Sequence, residues 1–379
     1  MSVMVEIPNP YDVNADEYSE RGFFLAEFRS TTLVFAVGPD EDTTALAALE
    51  RVVRELLADH ARVLVVAAPR NDTAEWSRLN AVLGAPLGVI DISLRLDDLA
   101  AIWGVLRDRN CALVLSTEPR WDHVASLAAA IAARMGAPKL ILADPRGGFG
   151  SPPVSFVDAA DLAADGLVNT AADQSATVSA ITTALEGGVT SINVCRLSEI
   201  EAELFTYDGA GTLVTGESYL KIGPLRVDDF PAVERLLERG VREGFLRPRS
   251  PEETTRLLLT GYGARVASSG HLAGVVALEE ERYRDERVAE VVGLYTINRF
   301  TGEGVGAKLL EHLRADAQAR GLRGIFACTT SERAANFFER CGFQPVSHDA
   351  IPAAKWDGYD PARKQLVRSL VQLFPVTEA

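Results

Sequence analysis

Three glycines alternate where an apolar strand gives way to a helix. The strand spans Val288–Tyr295, the glycines are Gly302, Gly304 and Gly306, and the helical pattern covers Gly304–Arg320. Glycine lets the backbone turn sharply and approach a ligand closely, and the unpaired N–H groups of a first helical turn favour an anion. The spacing therefore predicts an anion cradle, for which a diphosphate is the natural occupant. A dinucleotide-binding turn uses the same physics, so these glycines alone do not identify the ligand.

The elements that follow this turn continue to alternate between strand and helix. The pattern predicts a strand at Ile325–Thr329, a helix at Ser331–Arg340 and a strand at Phe343–His348. With this order of elements, the chain from about Tyr219 to Leu373 resembles the GNAT superfamily of acetyl-CoA-dependent N-acetyltransferases. The resemblance implies an α+β domain with a mixed sheet.

The resemblance to GNAT enzymes also implies acetyl-CoA as the co-substrate. The backbone at Leu294, Tyr295 and Ile297 would pair with the pantetheine arm as if the arm were an added strand. The residues expected to hold the diphosphate are Gly302, Gly304, Val305 and Gly306.

Two positions depart from the usual pattern of these enzymes. Thr301 stands where the family usually has Gln or Arg, and the pair Phe337-Phe338 stands where a Tyr often protonates the leaving thiolate. The resemblance therefore implies that the thiolate leaves unprotonated or takes its proton from water.

Longer stretches narrow the resemblance to one family. Residues 184–193, 203–212 and 246–250 resemble N-acetylglutamate synthases, in which an amino-acid-kinase-like domain precedes a GNAT domain. This implies transfer of the acetyl group to the α-amino group of L-glutamate, the first step of arginine biosynthesis. It also implies L-arginine as an effector, with Glu203 on the guanidinium and with Gly209 and Asn193 nearby, since a carboxylate can bind a guanidinium through two parallel hydrogen bonds.

The kinase-like half lacks the residues that a kinase of this fold uses. Residues 37–41 read Val-Gly-Pro-Asp-Glu instead of carrying a Gly-Gly, and Asp173–Ala180 contains no lysine. Phosphoryl transfer needs cations to balance the phosphate charge. We therefore expect a non-catalytic domain, which either regulates the enzyme through arginine or serves only as an assembly scaffold.

Acyl transfer to glutamate needs a base for the amine and cations for the carboxylates. Glu290 starts the strand before the glycine turn, where such synthases carry a glutamate, so we predict it as the general base through a water molecule. The alternative is a solvated glutamate at a strand end. The candidates for substrate carboxylates are Arg249, then Arg247, then Arg333, each with a surface arginine as the alternative. Ser331 is predicted to cap a helix, with substrate contact as the second possibility.

Apolar runs alternate with helical stretches in the first half of the chain. Strands are predicted at Leu33–Val37, Val63–Ala67, Ala112–Ser116, Leu140–Ala143 and Ser191–Cys195. Helices are predicted at Thr44–Ala58, Thr73–Leu83, Leu96–Arg107, Asp122–Met135 and Asp173–Glu186. Strands that are apolar throughout and separated by helices indicate a parallel sheet covered on both faces. The predicted fold class is thus α/β, with an amino-acid-kinase-like parallel-sheet sandwich before the GNAT domain.

Composition along the chain predicts the domain boundaries. We expect a flexible arm at residues 1–20, the kinase-like domain at 21–208, a linker at 209–218 and the GNAT domain at 219–379. The linker is placed where Gly, Thr and Ser are concentrated. A last strand is predicted near Gln365–Leu373.

The composition excludes several classes of protein. The net charge of −15 over 379 residues argues against a nucleic-acid partner. No run approaches the roughly 18 apolar residues of a membrane span, and the first twenty residues lack the features of a signal peptide. The four cysteines lack CxxC spacing, which argues against a metal site and fits reduced thiols in the cytoplasm.

No cysteine is placed as an acyl carrier, so we expect direct transfer within a ternary complex. The resemblance implies a homo-oligomer. Two alternatives remain open at this point: a GNAT enzyme that acetylates another amino acid or amine in a specialised pathway, and a non-enzymatic sensor of arginine or acetyl-CoA.

Overall fold

The computed structural model describes residues 20–70, 73–162, 174–206, 208–216, 219–267, 270–297 and 305–374. The chain divides into two compact units, Met1–Tyr219 and Leu220–Ala379. The predicted N-terminal arm lies outside the described residues except for Glu20, at which the first helix begins.

An eight-stranded sheet forms the centre of the first unit, in the order β3-β4-β2-β1-β5-β7-β8-β6. Its strands are β1 Thr32–Val37, β2 Arg62–Ala67, β3 Val89–Ile90, β4 Cys111–Ser116, β5 Lys139–Ala143, β6 Phe156–Asp158, β7 Ser191–Cys195 and β8 Thr212–Thr215. Six of the seven strand pairs are parallel, and only β7 and β8 run antiparallel. The parallel sheet predicted for this half is confirmed, with that one antiparallel pair as a correction.

Helices connect these strands and cover both faces of the sheet. They are α1 Glu20–Phe28, α2 Thr43–Ala58, α3 Ala74–Leu83, α4 Leu96–Arg109, α5 Trp121–Met135, α6 Ala159–Leu162, α7 Ser175–Glu186 and α8 Ile200–Phe205. The side chains of β1 alternate between two buried clusters: Val34 and Ala36 face one, and Leu33, Phe35 and Val37 face the other. A strand with apolar partners on both sides shows no polar alternation, which explains its continuous hydrophobic run.

Strand β8 lies inside the segment that composition predicted as a linker. All four of its residues are buried, and the Thr212 hydroxyl accepts a hydrogen bond of 2.8 Å from the Phe149 N–H. Residues 212–215 therefore belong to the first sheet. Threonine and valine favour strands, and this local preference is hidden by the surrounding glycines and serines.

A seven-stranded mixed sheet forms the second unit, in the order β14-β15-β13-β12-β11-β10-β9. Its strands are β9 Leu220–Pro224, β10 Gly261–Val266, β11 Leu272–Glu279, β12 Val288–Thr296, β13 Gly324–Thr329, β14 Gln344–Val346 and β15 Arg368–Leu373. Its helices are α9 Phe230–Arg242, α10 Pro251–Thr260, α11 Val305–Ala319, α12 Glu332–Arg340 and α13 Pro361–Leu366. Only β12 and β13 run parallel. The last strand begins at Arg368 rather than near Gln365, because Asp360 caps α13 ahead of it.

Strand β12 contains a bulge and then separates from β13. Tyr295 pairs with Val275 and Val292 pairs with Ala277, so Gly293 and Leu294 together oppose one residue of β11. Gly293 has φ of +66°, which glycine adopts without strain. The ladder with β13 covers only Val288–Glu290. The parallel pairing of β12 and β13 therefore ends at Glu290.

None of the helices in the described part of the chain combines the length and the apolar character needed to span a bilayer.

Replacing Gly293 by alanine should disrupt the bulge. The positive φ disfavours a side chain, and an added Cβ would lie 2.4 Å from Leu257 Cδ1. We expect the free energy of local opening around β11 and β12 to fall by about 1–3 kcal/mol, measured by hydrogen–deuterium exchange. Gly223→Ala is the control, because a Cβ there meets nothing within 4 Å. Unchanged exchange in Gly293→Ala would contradict the strained bulge.

Candidate active site

Glu290 occupies the last residue pair before β12 and β13 diverge. The residue as a whole is 7% exposed, its Oε2 accepts a hydrogen bond of 2.9 Å from the Tyr283 hydroxyl, and its Oε1 lies 2.5 Å from Lys355 Nζ. Burial and the Glu290 carboxylate raise the pKa of Tyr283, so the phenol stays protonated and donates. Glu290, the predicted base, is therefore a buried carboxylate that accepts hydrogen bonds from Tyr283 and Lys355. It lies where the pairing of β12 and β13 ends.

The backbone predicted to pair with pantetheine runs along the divergent part of β12. Leu294 lies in the bulge and is partly exposed. The Tyr295 hydroxyl instead accepts from Arg239 Nε and donates to Glu243 Oε2, both at 3.0 Å. Its side chain thus packs toward α9, and only its backbone remains available to the cleft.

The N–H group of Ile297 does not point into the gap between β12 and β13, where pairing with the pantetheine arm was expected. Its N–H donates a 2.9 Å hydrogen bond to the Ala273 carbonyl, so this N–H faces β11 and not the cleft. The Ile297 side chain is fully buried.

Two of the four predicted diphosphate residues can be located. Gly302 and Gly304 lie outside the described residues, whereas α11 begins at Val305 and has Gly306 in its first turn. A Cβ on Gly306 would lie 3.0 Å from Phe337 Cζ. Gly306 therefore lets an aromatic ring of α12 approach the start of α11.

Arg247 and Arg249 lie in the segment between α9 and α10, in the wall of a groove of about 440 Å³. The negative charge of Glu290 acts to raise the pKa of both arginines, although it is not the largest influence on either. Arg247 binds Glu253 through two contacts, of 2.5 and 3.1 Å. This contact, the largest of several causes, lowers the pKa of Glu253 to about 2 and raises the pKa of Arg247. The charge of Arg247 is therefore already balanced.

Arg249 is partly buried, and its guanidinium has no carboxylate partner among the described residues. Its nearest polar contact is the Arg247 carbonyl, at 3.5 Å. Burial and then the charge of Arg247 lower the pKa of Arg249, although a guanidinium remains cationic at neutral pH. A cation in this situation is suited to an incoming carboxylate.

Arg333 and Ser331 lie at the start of α12. The guanidinium of Arg333 is 5.6 Å from the ring centre of Phe245, two residues before Arg247. The Arg333 side chain is exposed. Its contact with Phe245 places it near the segment that carries Arg247 and Arg249. The Ser331 hydroxyl accepts a 3.3 Å hydrogen bond from the Ala334 N–H, which is the cap that was predicted first.

Three residues near Glu290 had no predicted role: Tyr283, Lys355 and Cys328. The Cys328 Sγ lies 3.9 Å from Ser369 Oγ. Burial, followed by the charge of Glu290, raises the pKa of Cys328 to about 11. This thiol is therefore protonated near neutral pH and is a poor acyl carrier.

The three predicted effector residues do lie together in the first unit. Glu203 is fully buried, and its carboxylate accepts hydrogen bonds from Asn193 Nδ2 and from the N–H groups of Ala210 (2.8 Å) and Gly211 (2.7 Å). Gly209 has φ of +65°. Glu203 thus holds the turn closed, and its carboxylate is not accessible to a guanidinium in this conformation.

A cavity of about 680 Å³ opens at the carboxyl ends of β1 and β5 in the first unit. In an open sheet of this kind, ligands bind where the strand order reverses, and β1 and β5 mark that point. Arg70, Arg120, Arg196 and Glu41 are among its lining residues. Burial and the nearby aspartates raise the pKa of Glu41 to about 7.

The described residues contain no group of three or more His, Cys, Asp or Glu side chains that could hold a metal ion.

Residues 230–343 match the acetyltransferase (GNAT) family. The chain is 33% identical over 165 residues to an amino-acid acetyltransferase of Azotobacter vinelandii, covering 44% of this chain and 37% of the relative. It is 30% identical over 193 residues to an amino-acid acetyltransferase of Ralstonia nicotianae, covering 49% and 41%. The chain thus spans less than half the length of these curated relatives.

The whole chain is similar in fold to a solved structure of N-acetylglutamate synthase from Neisseria gonorrhoeae, complexed with coenzyme A and L-arginine. The similarity covers 96% of this chain and 100% of the other, with a TM-score of 0.60 and 19% identity. The predicted fold class is confirmed, with a GNAT domain in the second unit.

The thiol of Cys328 should react slowly with iodoacetamide at about pH 8. The thiolate is the reactive form, so the raised pKa predicts a rate that keeps increasing until about pH 11. Peptide mass spectrometry measures this rate, and Cys328→Ala assigns the peptide. The ordinary pKa of a cysteine thiol is about 8.5. A rate that stops increasing near that pH would contradict the raised pKa of Cys328.

Proposed function

We propose that this chain transfers the acetyl group of acetyl-CoA to the α-amino group of L-glutamate, the first step of arginine biosynthesis. The observation that carries the proposal is Arg249, a partly buried cation without a carboxylate partner among the described residues, within the electrostatic reach of Glu290. A substrate carboxylate would satisfy Arg249 while Glu290 receives the amine. The GNAT match and the relatives named as amino-acid acetyltransferases support the reaction class.

The divergence of β12 and β13 fits the co-substrate. The bulge at Gly293–Leu294 turns backbone toward the gap, and Leu294 offers it to the pantetheine amides in the manner of strand addition. Val305 and Gly306, with Gly302 and Gly304 ahead of them in the chain, are proposed to hold the diphosphate at the start of α11. Acetyl-CoA supplies the activated acetyl group when bound.

The chain's own residues have three tasks in the reaction. Glu290 accepts a proton from the substrate ammonium through a water molecule, because only the neutral amine attacks. Arg249 holds a carboxylate and thereby orients the amine. Backbone N–H groups of β12 stabilise the oxygen on which negative charge builds. Phe337 and Phe338 carry no hydroxyl, so the departing sulfur takes its proton from water.

Release of CoA measured with each of the twenty amino acids tests this proposal. Wild-type enzyme should prefer L-glutamate. A clear preference for another amino acid would replace glutamate in the proposal, and acetyl-CoA binding without turnover on any amine would favour a sensor.

Arg249→Ala should raise the KM for glutamate by about 10- to 100-fold with a smaller effect on kcat, the loss expected for a charged hydrogen bond. Arg256→Ala is the matched control, because Arg256 is an exposed arginine of the adjacent α10. An unchanged KM in Arg249→Ala would remove Arg249 from the substrate site.

We propose further that residues 21–208, together with the segment that leads through strand β8 at Thr212–Thr215, form a non-catalytic domain that binds L-arginine at Glu203, Asn193 and Gly209. Asn193 Oδ1 is buried without a hydrogen-bond partner among the described residues, and a guanidinium could donate to it. Because the Glu203 carboxylate is sealed by Ala210 and Gly211, binding requires the turn at residues 206–211 to open.

Arginine should therefore increase hydrogen exchange in peptides that cover residues 206–212. Glu203→Gln should abolish this response and destabilise the first unit by about 1–3 kcal/mol, because backbone N–H groups lose their acceptor. Glu201→Gln, an exposed pairing partner of Arg51 on the same helix, is the control. If calorimetry shows that arginine binds but hydrogen exchange in this turn does not change, the effector site is not at Glu203.

The same proposal includes a cytoplasmic homo-oligomer. Four free cysteines support a reducing compartment. The GNAT domain is proposed to begin at residue 219 and to carry all of the chemistry.

A further inference from the structure

Lys355 and Glu290 form a pair that is largely removed from solvent. Their side chains are 16% and 9% exposed, respectively. Among the described residues, Glu290 is the only carboxylate that pairs with Lys355. The ring centre of Tyr359 lies 5.9 Å from Lys355 Nζ on another side. A buried ammonium that loses its carboxylate carries a large penalty unless another anion replaces it.

This pair poses a problem for the proposed reaction. Both carboxylate oxygens of Glu290 already accept a hydrogen bond, Oε1 from Lys355 and Oε2 from Tyr283, so an incoming donor competes with these groups. The substrate ammonium must also reach Glu290. Lys355 therefore has to release Glu290 before the amine can be deprotonated, and it can do so only when a second anion is present.

An amino acid substrate brings both of the charges that are needed. Its carboxylate can bind Lys355 while its ammonium faces Glu290 across one water molecule, so each charge of the substrate meets an opposite charge. We infer that Lys355 is a specificity-determining residue that binds the α-carboxylate of the substrate and in this way frees Glu290 to act as the base. The inference rests on the proposed function and extends it.

The assignment to the α-carboxylate follows from connectivity. The α-carboxylate and the amine are attached to the same carbon, so the carboxylate beside an amine at Glu290 must lie beside Lys355, which touches Glu290. Arg247 is already paired with Glu253, so Arg249 remains for the γ-carboxylate. The two cations thus distinguish the two ends of glutamate.

The step balances as an ordinary acyl transfer. The ammonium gives one proton to Glu290 through water, and the nitrogen lone pair forms the C–N bond. The C–S bond breaks with its electron pair on sulfur, and the nitrogen releases its second proton to the water that protonates the thiolate. A simple amine has no carboxylate to offer Lys355, and its binding would leave Lys355 unpaired. The exchange therefore selects amino acids over amines.

The test compares two selectivities, for glutamate over its α-amide (isoglutamine) and for glutamate over its γ-amide (glutamine), each as a ratio of kcat/KM. Lys355→Met should lower the first ratio by about 10- to 100-fold and leave the second within about threefold. Arg249→Ala should do the reverse. Lys355→Arg should restore part of the first ratio, and Lys221→Met, at an exposed lysine of the same sheet, should change neither.

Losses of equal size on all three substrates in Lys355→Met would overturn the inference, because a merely structural lysine would not discriminate between the two amides. If that variant does not fold, Lys355→Gln, which retains a donor for Glu290, gives the same comparison. A wild-type enzyme that prefers another amino acid is tested with that amino acid and its α-amide. Absence of turnover on every amino acid would end the proposed function itself.

Discussion

Main-chain pairing between β12 and β13 ends after three residue pairs, and the arrangement of the candidate site follows from this. A parallel pair that continued would leave no room for a ligand between the strands. The bulge at Gly293 follows three residues after this pairing ends, and bulges locally bend a strand. Glu290 is thereby fixed at the closed end of the gap, and the backbone beyond it becomes available to an extended ligand.

Charge balance around Glu290 is the second constraint. Two carboxylates, Glu253 and Glu290, face three cations, Arg247, Arg249 and Lys355. One positive charge therefore lacks a partner among the described residues, and it lies on a partly buried guanidinium. Such a site has an intrinsic preference for an anionic ligand, since binding removes an uncompensated charge.

The large elements could be predicted from the sequence because their patterns are long. The buried strands of the first sheet and the long helices between them belong to this class. Short strands such as β3 and β6 span two and three residues and offer too little periodicity to detect. Glu290 and Arg249 could be proposed from a resemblance. The contact between Lys355 and Glu290 could not be predicted, because 65 residues separate the two and no residue pattern links them. The closed turn around Glu203 was equally invisible, since backbone N–H groups leave no trace in residue types.

The contact between Gly306 and Phe337 links two ends of the site. A ring that lies within 3.0 Å of the position of an added Cβ leaves little free space between α11 and α12, and close-packed elements transmit displacement. A diphosphate that draws the first turn of α11 toward itself would shift Phe337, and with it the end of α12 that bears Arg333. Under the proposed function, the two substrates would then bind interdependently, each changing the affinity for the other.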